Sequence, residues 1–140
     1  MTYLLDTSAW AQARYERTVA ERLASHMRNG ELAVCTVTAL EVLYSSRNAG
    51  EYTRDLERLR GLPWRDLSDP RSAIDLQLRL AERDWHRTPI PDVVIAATAA
   101  EHDLTVLHYD SDYERLAETA GINQQWLPER GTGHQPQSKT

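Results

Sequence analysis

The sequence of 140 residues lacks the features that place a chain in a membrane or outside the cell. Its single cysteine, Cys35, cannot form a disulfide within the chain. No apolar run approaches the roughly 18 residues that a membrane-spanning helix requires, and the N-terminus lacks the basic and apolar stretches of a secretory signal. With 41% hydrophobic and 26% charged residues, the composition predicts a globular domain located in the cytoplasm, without membrane association.

Positive charge is also scarce. The formal net charge is −5, and only one of the 16 basic residues is a lysine, Lys139, which lies in the polar C-terminal tail. Proteins that bind nucleic acids are usually basic, so the overall charge taken alone argues against that function. The argument weakens if several carboxylates bind metal ions, because bound cations cancel negative charge locally.

The sequence does contain short apolar segments, which alternate with segments of helical spacing. Strands are predicted at 2–5, 32–35, 63–67, 104–107 and 125–127, and helices at 18–27, 37–47, 51–60, 70–85, 91–102 and 111–120. This order predicts an α/β fold in which a central, mostly parallel sheet of four or five strands is flanked by helices. We expect one domain over residues 1–127 and a disordered tail over 128–140, which is rich in Gly, Pro, Gln and Ser.

Four acids lie where the chain leaves a strand or enters a helix: Asp6, Glu41, Asp92 and Asp110. Each one alone is explained about equally well as a helix cap or as a partner of a helix dipole. In a parallel sheet, however, such positions gather along one edge. Several carboxylates at one edge repel each other unless a cation lies between them, and hard oxygen ligands select Mg²⁺ or Mn²⁺.

Three segments give the sequence a resemblance to a known family. YLLDTSAW, TALEVLY and IPDVVIAATAAEHDLTVLHYDSDYERLA resemble the successive motifs of PIN-domain ribonucleases, and the match is closest to the VapC toxins of type II toxin–antitoxin systems. The resemblance runs from Tyr3 to Trp126 in the expected order. It implies a PIN-like three-layer sandwich around the predicted sheet.

The resemblance also implies a set of site residues. The four acids of the family's catalytic site fall on Asp6, Glu41, Asp92 and Asp110, all of them candidate metal ligands, with Glu41 binding directly or through a water. Asp112 is an additional metal-ligand candidate. The hydroxyls of Thr7 and Ser8 are expected to order the site around Asp6.

An activity and partners follow from the same resemblance. We expect an endoribonuclease that uses Mg²⁺, with Mn²⁺ as a substitute, to hydrolyse RNA phosphodiesters with metal-activated water. The implied substrates are transfer RNA or ribosomal RNA. The implied partners are a VapB-type antitoxin that covers the acidic pocket and a second copy of the chain in a homodimer.

Basic residues near the motifs are candidates for contacts with RNA phosphates. Arg14 follows the first motif, and His86 and Arg87 precede Asp92. Arginine can bind two phosphate oxygens at once. The competing interpretation is that these side chains belong to ordinary solvated surfaces.

Two other functions remain as alternatives. A PIN-fold module that has lost its activity would bind partners without cutting RNA. A phosphatase with an aspartate nucleophile is disfavoured because Asp6-Thr7-Ser8 lacks the second acid of an Asp-x-Asp motif, and because Lys139 in the tail is the only lysine available for such chemistry.

Overall fold

A four-stranded parallel sheet forms the centre of the structure, a computed structural model that describes residues 2–134. The strands are β1 (Tyr3–Leu5), β2 (Leu32–Ala33), β3 (Thr105–His108) and β4 (Gln124–Trp126). They lie in the order β2-β1-β3-β4, and every pair is parallel. The predicted α/β fold with a central parallel sheet is confirmed, and β1 and β3 occupy its middle.

Seven helices connect and cover the strands in the described part of the chain. They are α1 (Thr7–Ala13), α2 (Arg17–Arg28), α3 (Thr36–Tyr44), α4 (Ala49–Arg60), α5 (Ser72–Ala81), α6 (Ile90–His102) and α7 (Asp112–Ala120). Glycines follow the ends of α2, α4 and α7, and two of them have positive φ. Gly30 after α2 has φ +68° and Gly121 after α7 has φ +69°, a backbone conformation that residues with a Cβ rarely adopt. No helix within residues 2–134 is both long and apolar enough to cross a membrane.

The predicted strand at 63–67 is reduced to a single bridge between Val34 and Trp64. The chain leaves the sheet there because the Asp66 side chain turns to the start of α3, where its two oxygens accept hydrogen bonds from Thr36 N and Thr36 Oγ1, both at 2.7 Å. Thr36 is therefore the first residue of α3, one residue before the predicted start of this helix at residue 37. The capping carboxylate comes from a loop 30 residues away along the chain.

Helix α5 is shorter than the sequence pattern suggests. It begins at Ser72 rather than at Pro70 and ends at Ala81 rather than near Trp85. The backbone reverses at Asp84, which has φ +61°, and Trp85 N then donates to Leu80 O at 2.8 Å. The apolar spacing continues past the end of the helix because Trp85 still packs against the core.

Alternate residues of the central strands face opposite sides of the sheet. Leu4 and Val106 belong to the core between the sheet and helices α5, α6 and α7. Leu5 and Leu107 belong to the core on the other face, which α1, α2, α3 and α4 cover. Two apolar cores separated by one sheet are the three layers that the sequence predicts.

The segment after β4 contacts the first helix. Gln12 Oε1 accepts from His134 N at 2.6 Å, while Gln12 Nε2 donates to His134 O at 2.9 Å. Gly133 N donates to the hydroxyl of Tyr109 at 2.9 Å. Residues 128–134 of the predicted disordered tail thus make specific contacts with the domain, and residues 135–140 lie outside the described residues. The domain boundary after residue 127 stays a prediction.

Replacing Leu107 by alanine tests the importance of the central strand. Leu107 is fully buried, so Leu107→Ala should lower the free energy of unfolding by about 2–5 kcal/mol, the range for cavities left by a deleted leucine side chain. Urea denaturation followed by circular dichroism measures this. Glu57→Ala on the exposed face of α4 is the control and should change stability by no more than about 0.5 kcal/mol.

Candidate metal centre

The carboxyl ends of β1 and β3 meet the first turn of α6, and acids lie at all three positions. Asp6 directly follows β1, Asp110 lies two residues after the end of β3, and Asp92 is the third residue of α6. Because β1 and β3 are parallel neighbours, their ends open at the same edge of the sheet. The strand-end and helix-start positions singled out in the sequence therefore come together in space.

Two of these acids, Asp92 and Asp110, could share one cation with a third, Asp112. One carboxylate oxygen each from Asp92, Asp110 and Asp112 lies within 4.8 Å of the others. Opposite oxygens around an octahedral Mg²⁺ are about 4.2 Å apart, given metal–oxygen distances of about 2.1 Å. Adjacent oxygens around the same ion are about 3 Å apart. The three carboxylates are therefore compatible with one small divalent ion once their side chains move closer together. Among residues 2–134, this tight group includes Asp112 but neither Asp6 nor Glu41.

Asp6 is buried beside this group and is held by three donors. Its Oδ2 accepts from Ser8 N at 2.9 Å and from Ser8 Oγ at 2.5 Å, and its Oδ1 accepts from the Tyr113 hydroxyl at 2.6 Å. Ser8 Oγ in turn accepts from Tyr109 N at 2.7 Å. Ser8 thus links the ends of β1 and β3 through the Asp6 carboxylate. Together these three hydrogen bonds fix the orientation of the Asp6 carboxylate.

Tyr113 is the residue of this site that the sequence analysis missed. Its side chain is fully buried, and its hydroxyl lies 2.6 Å from Asp6 Oδ1 and 3.4 Å from Asp92 Oδ1. Burial and the nearby Asp6 and Asp92 carboxylates raise the pKa of Tyr113 well above its usual value, so the hydroxyl keeps its proton. The sequence feature that could have pointed to Tyr113 is its position in the first turn of α7, three residues after Asp110.

Glu41 approaches the site from α3. Its Oε1 accepts a hydrogen bond from Thr7 Oγ1 at 2.9 Å. Burial raises the pKa of Glu41, the hydrogen bond from Thr7 lowers it in part, and the Asp6 carboxylate raises it further. The effect of Asp6 places Glu41 within electrostatic reach of the acidic group without making it a member of the tight cluster.

Asp92 is the acid most perturbed by its surroundings. Burial, followed by repulsion from Asp6, Asp110, Asp112 and Glu41, raises the pKa of Asp92 to about 8. Burial and Asp110 likewise raise the pKa of Asp112. Without a cation the site therefore retains a proton at neutral pH, because full ionisation would gather too much negative charge in a dry environment. A divalent cation would replace that proton.

The backbone around Asp110 is fixed by a buried histidine. Asp110 N donates to His108 Nδ1 at 3.0 Å, and His108 Nε2 lies 2.5 Å from Gln124 Oε1. Burial lowers the pKa of His108, which keeps the ring neutral and its Nδ1 able to accept. Asp110 Oδ1 also accepts from Asp112 N at 2.9 Å. The turn that carries both acids is therefore held by its own polar contacts.

The PIN-domain family model matches residues 3–119. The chain belongs to the PIN-domain family. Ribonuclease VapC51 of Mycobacterium tuberculosis is 37% identical over 135 residues, which cover 94% of this chain and 97% of that protein. Ribonuclease VapC21 of the same species is also 37% identical, over 93% and 96% of the two chains. The predicted resemblance to VapC-type PIN-domain ribonucleases is confirmed.

Solved structures share the fold of this PIN domain. VapBC2 from Rickettsia felis bound to a promoter DNA fragment superposes with a TM-score of 0.73 at 18% identity, over 90% of this chain and 98% of that chain. VapBC from Salmonella typhimurium bound to DNA superposes with a TM-score of 0.68 at 20% identity, over 91% of this chain and 98% of that chain. At these identities the likeness establishes the three-layer architecture.

The predicted RNA-contacting residues of this PIN domain lie in two places. Arg14 follows α1, and its Nη2 lies 3.5 Å from Asp55 Oδ2. His86 and Arg87 are exposed in the turn before α6. Their contact with RNA stays a prediction.

The raised pKa of Asp92 gives a testable pH dependence in the metal-free PIN domain. An unfolded aspartate has a pKa of about 3.9, so between pH 4 and about pH 8 the folded state holds a proton that the unfolded state has lost. Stability must therefore fall as pH rises through that window. Asparagine does not titrate, so Asp92→Asn removes this fall in stability with pH. At pH 8 the variant should have a free energy of unfolding about 1–3 kcal/mol higher than wild type.

Chemical denaturation in EDTA between pH 4 and pH 8 measures the effect. The exposed Asp75 on α5 provides the control, since Asp75→Asn should leave the wild-type profile unchanged. Parallel stability profiles for wild type and Asp92→Asn would contradict the assignment of the retained proton to Asp92.

Proposed function

We propose that this PIN domain is the toxin component of a type II toxin–antitoxin system and hydrolyses RNA phosphodiester bonds with the help of a divalent cation. The observation that carries the proposal is the convergence of Asp92, Asp110 and Asp112 within 4.8 Å, next to a buried Asp6 held by three donors. Curated relatives named ribonuclease VapC, which match over more than 90% of both chains, support the choice of RNA.

Asp92, Asp110 and Asp112 would hold Mg²⁺ or Mn²⁺, with Asp6 completing the site from the end of β1. When bound, the cation supplies a Lewis acid that acidifies water and offsets the negative charge of the phosphate in the transition state. The chain's own part is to hold the acids in place. Ser8 and Tyr113 fix the Asp6 carboxylate, and His108 fixes the turn that carries Asp110.

Glu41 is the group suited to accept a proton from the attacking water. The hydrogen bond from Thr7 fixes one of its carboxylate oxygens, and the second oxygen can accept the proton. Its raised pKa makes it a better base than an ordinary exposed glutamate. This route does not use the RNA 2′-hydroxyl. With the 3′ oxygen as the leaving group, the products carry 5′-phosphate and 3′-hydroxyl ends. The proposed substrates are transfer RNA or ribosomal RNA.

Removal of one acid from the tight group tests the metal site and the activity together. Asp110→Asn should abolish calorimetric Mn²⁺ binding and lower the rate of RNA cleavage by at least about 100-fold, because one of three charged ligands is lost. Asp75→Asn is the matched control and should retain both properties. The second readout is sequencing of the RNA ends, which should carry 5′-phosphates.

Two outcomes would contradict the proposal. If Asp110→Asn cleaves RNA at the wild-type rate, the acid cluster does not take part in the reaction. Wild-type protein that binds RNA and Mn²⁺ but never cuts would instead favour the alternative of a silent PIN-fold binding module.

The proposed partners are a VapB-type antitoxin and a second copy of the chain. The two solved structures described above are VapBC complexes, which supports an antitoxin partner. For the homodimer, the support is a set of exposed apolar side chains on helices packed side by side, since α6 contacts both α3 and α5. These side chains are Leu40 and Tyr44 on α3, Ile74 and Leu78 on α5, and Ile90 at the start of α6. Exposed apolar side chains on neighbouring helices are typical of protein interfaces.

A charge placed in this apolar patch tests the homodimer. Leu78 is 60% exposed, so Leu78→Glu should leave the fold intact but oppose burial at the interface, because an unpaired carboxylate resists desolvation. Light scattering after size exclusion should then show a dimer for wild type and a monomer for Leu78→Glu. Thr18→Glu on the exposed face of α2 should remain dimeric. A monomeric wild-type protein at high concentration would contradict the homodimer.

A further inference from the structure

An arginine groove lies along α1, which begins after Asp6, and along α3, which carries Glu41, and it has no role in the chemistry described above. It is a cavity of about 660 Å³ between α1, α2, the end of α3 and α4. Its charged lining consists of Arg14, Arg47, Arg54, Arg58, Glu51 and Asp55. Four arginines against two acids make this groove locally positive, although the chain as a whole has a net charge of −5.

A buried carboxylate positions two of these arginines. Asp55 is only 6% exposed, and its oxygens lie 3.5 Å from Arg14 Nη2 and 3.8 Å from Arg58 Nη1. The Arg58 guanidinium also lies over the Trp10 ring, 4.4 Å from its centre. Each guanidinium has five N–H donors, and a carboxylate shared between two guanidiniums occupies only some of them. The remaining donors are held at the wall of the groove, ready for another anion.

The other two arginines leave their charge open to solvent. Arg47 pairs with Glu51 at 3.1 Å, yet its side chain is 85% exposed. Within residues 2–134, no carboxylate lies within the 4.0 Å of an ion pair to Arg54. An exposed ion pair contributes little and is easily exchanged. Both side chains can therefore turn to a bound anion at low cost.

Two helices connect the groove to the acids. On α1, the lining residue Trp10 lies one turn after Asp6, and Trp10 N donates to Asp6 O at 3.4 Å. On α3, the lining residue Ser45 lies one turn after Glu41, and Ser45 N donates to Glu41 O at 3.3 Å. Arg14 follows Asp6 by eight residues, about 12 Å at the helical rise. A strand with one phosphate at the acids can place its next phosphates along this groove.

We propose that the arginine groove binds the phosphate backbone of single-stranded RNA on one side of the cut bond, an inference that rests on the ribonuclease function proposed above. Guanidinium groups match phosphate oxygens in geometry and charge. The acidic site alone repels RNA, so a positive surface next to it is needed to hold the strand. An acidic protein segment would also match the charge of the groove. The connection of the groove to the acids through α1 and α3 favours RNA instead, because a substrate strand must reach both places.

Binding of a short fluorescent single-stranded RNA to the full chain in EDTA, followed by anisotropy, tests this inference without cleavage. The double variant Arg14→Gln/Arg54→Gln should bind about tenfold more weakly than wild type. The slope of log affinity against log salt should become shallower by about 1.4, because two phosphate contacts are lost. Arg14→Lys should keep the salt slope while affinity falls, since the charge stays and the forked geometry is lost.

The matched control removes the same charge elsewhere. Arg65 and Arg71 are exposed outside the groove, and Arg65→Gln/Arg71→Gln should bind RNA as wild type does. Arg54→Gln alone serves as the second test, because Arg54 has no carboxylate partner among residues 2–134 whose loss could disturb folding. Thermal unfolding monitors the fold of every variant.

Three results would overturn the proposal. The first is that the groove variants and the control variant bind RNA with equal affinity. The second is that Arg54→Gln folds normally and keeps the wild-type slope of log affinity against log salt. The third is tighter binding of a poly-glutamate peptide than of RNA of equal charge, which would assign the groove to a protein partner. If wild type still cuts RNA in a separate cleavage assay, only the groove assignment fails. A wild type that neither binds nor cuts RNA contradicts both proposals.

Discussion

Mutual repulsion among carboxylates is the constraint around which the structure is arranged. Asp92 lies in the first turn of an otherwise apolar helix, where burial and then repulsion from four other acids raise its pKa to about 8. The fold accepts this cost because the acids sit at the ends of buried strands and a buried helix, which cannot move apart without disrupting both apolar cores. Repulsion held in place by packing gives a site with high affinity for positive charge, as the metal-site proposal requires.

Neutral donors make this arrangement tolerable. Ser8, Tyr113 and Thr7 direct hydrogen bonds to Asp6 and Glu41, so these acids are solvated by the protein rather than by water. Such preorganised dipoles cost no reorganisation when charge changes in the site. The arginine groove provides the opposite charge about two helical turns from Asp6 along α1. Together the two surfaces explain how a chain of net negative charge can be suited to a polyanionic substrate.

The fold and the positions of the acids were predictable from the sequence, whereas the contacts between side chains were not. Periodicity identified the central strands and the helices α2, α6 and α7 because apolar spacing directly reflects burial. It could not show that Asp66 caps α3 from a distant loop, or that Tyr113 connects Asp6 to Asp92. Both contacts join residues far apart in the chain. The grouping of Asp112 with Asp92 and Asp110 also depends on the geometry of a turn, which spacing alone does not give.

The path of the chain after β4 has a consequence for how this protein can be labelled or fused. Gly133 passes so close to Tyr109 and Gln12 that a Cβ at this position would lie 2.5 Å from Tyr109 Cζ and 2.6 Å from Gln12 Oε1. The ring of His134 then stacks on Tyr15 at 4.0 Å, at the border of the arginine groove. A fluorophore, affinity tag or reporter domain joined after His134 therefore starts beside the groove and can compete with whatever approaches it.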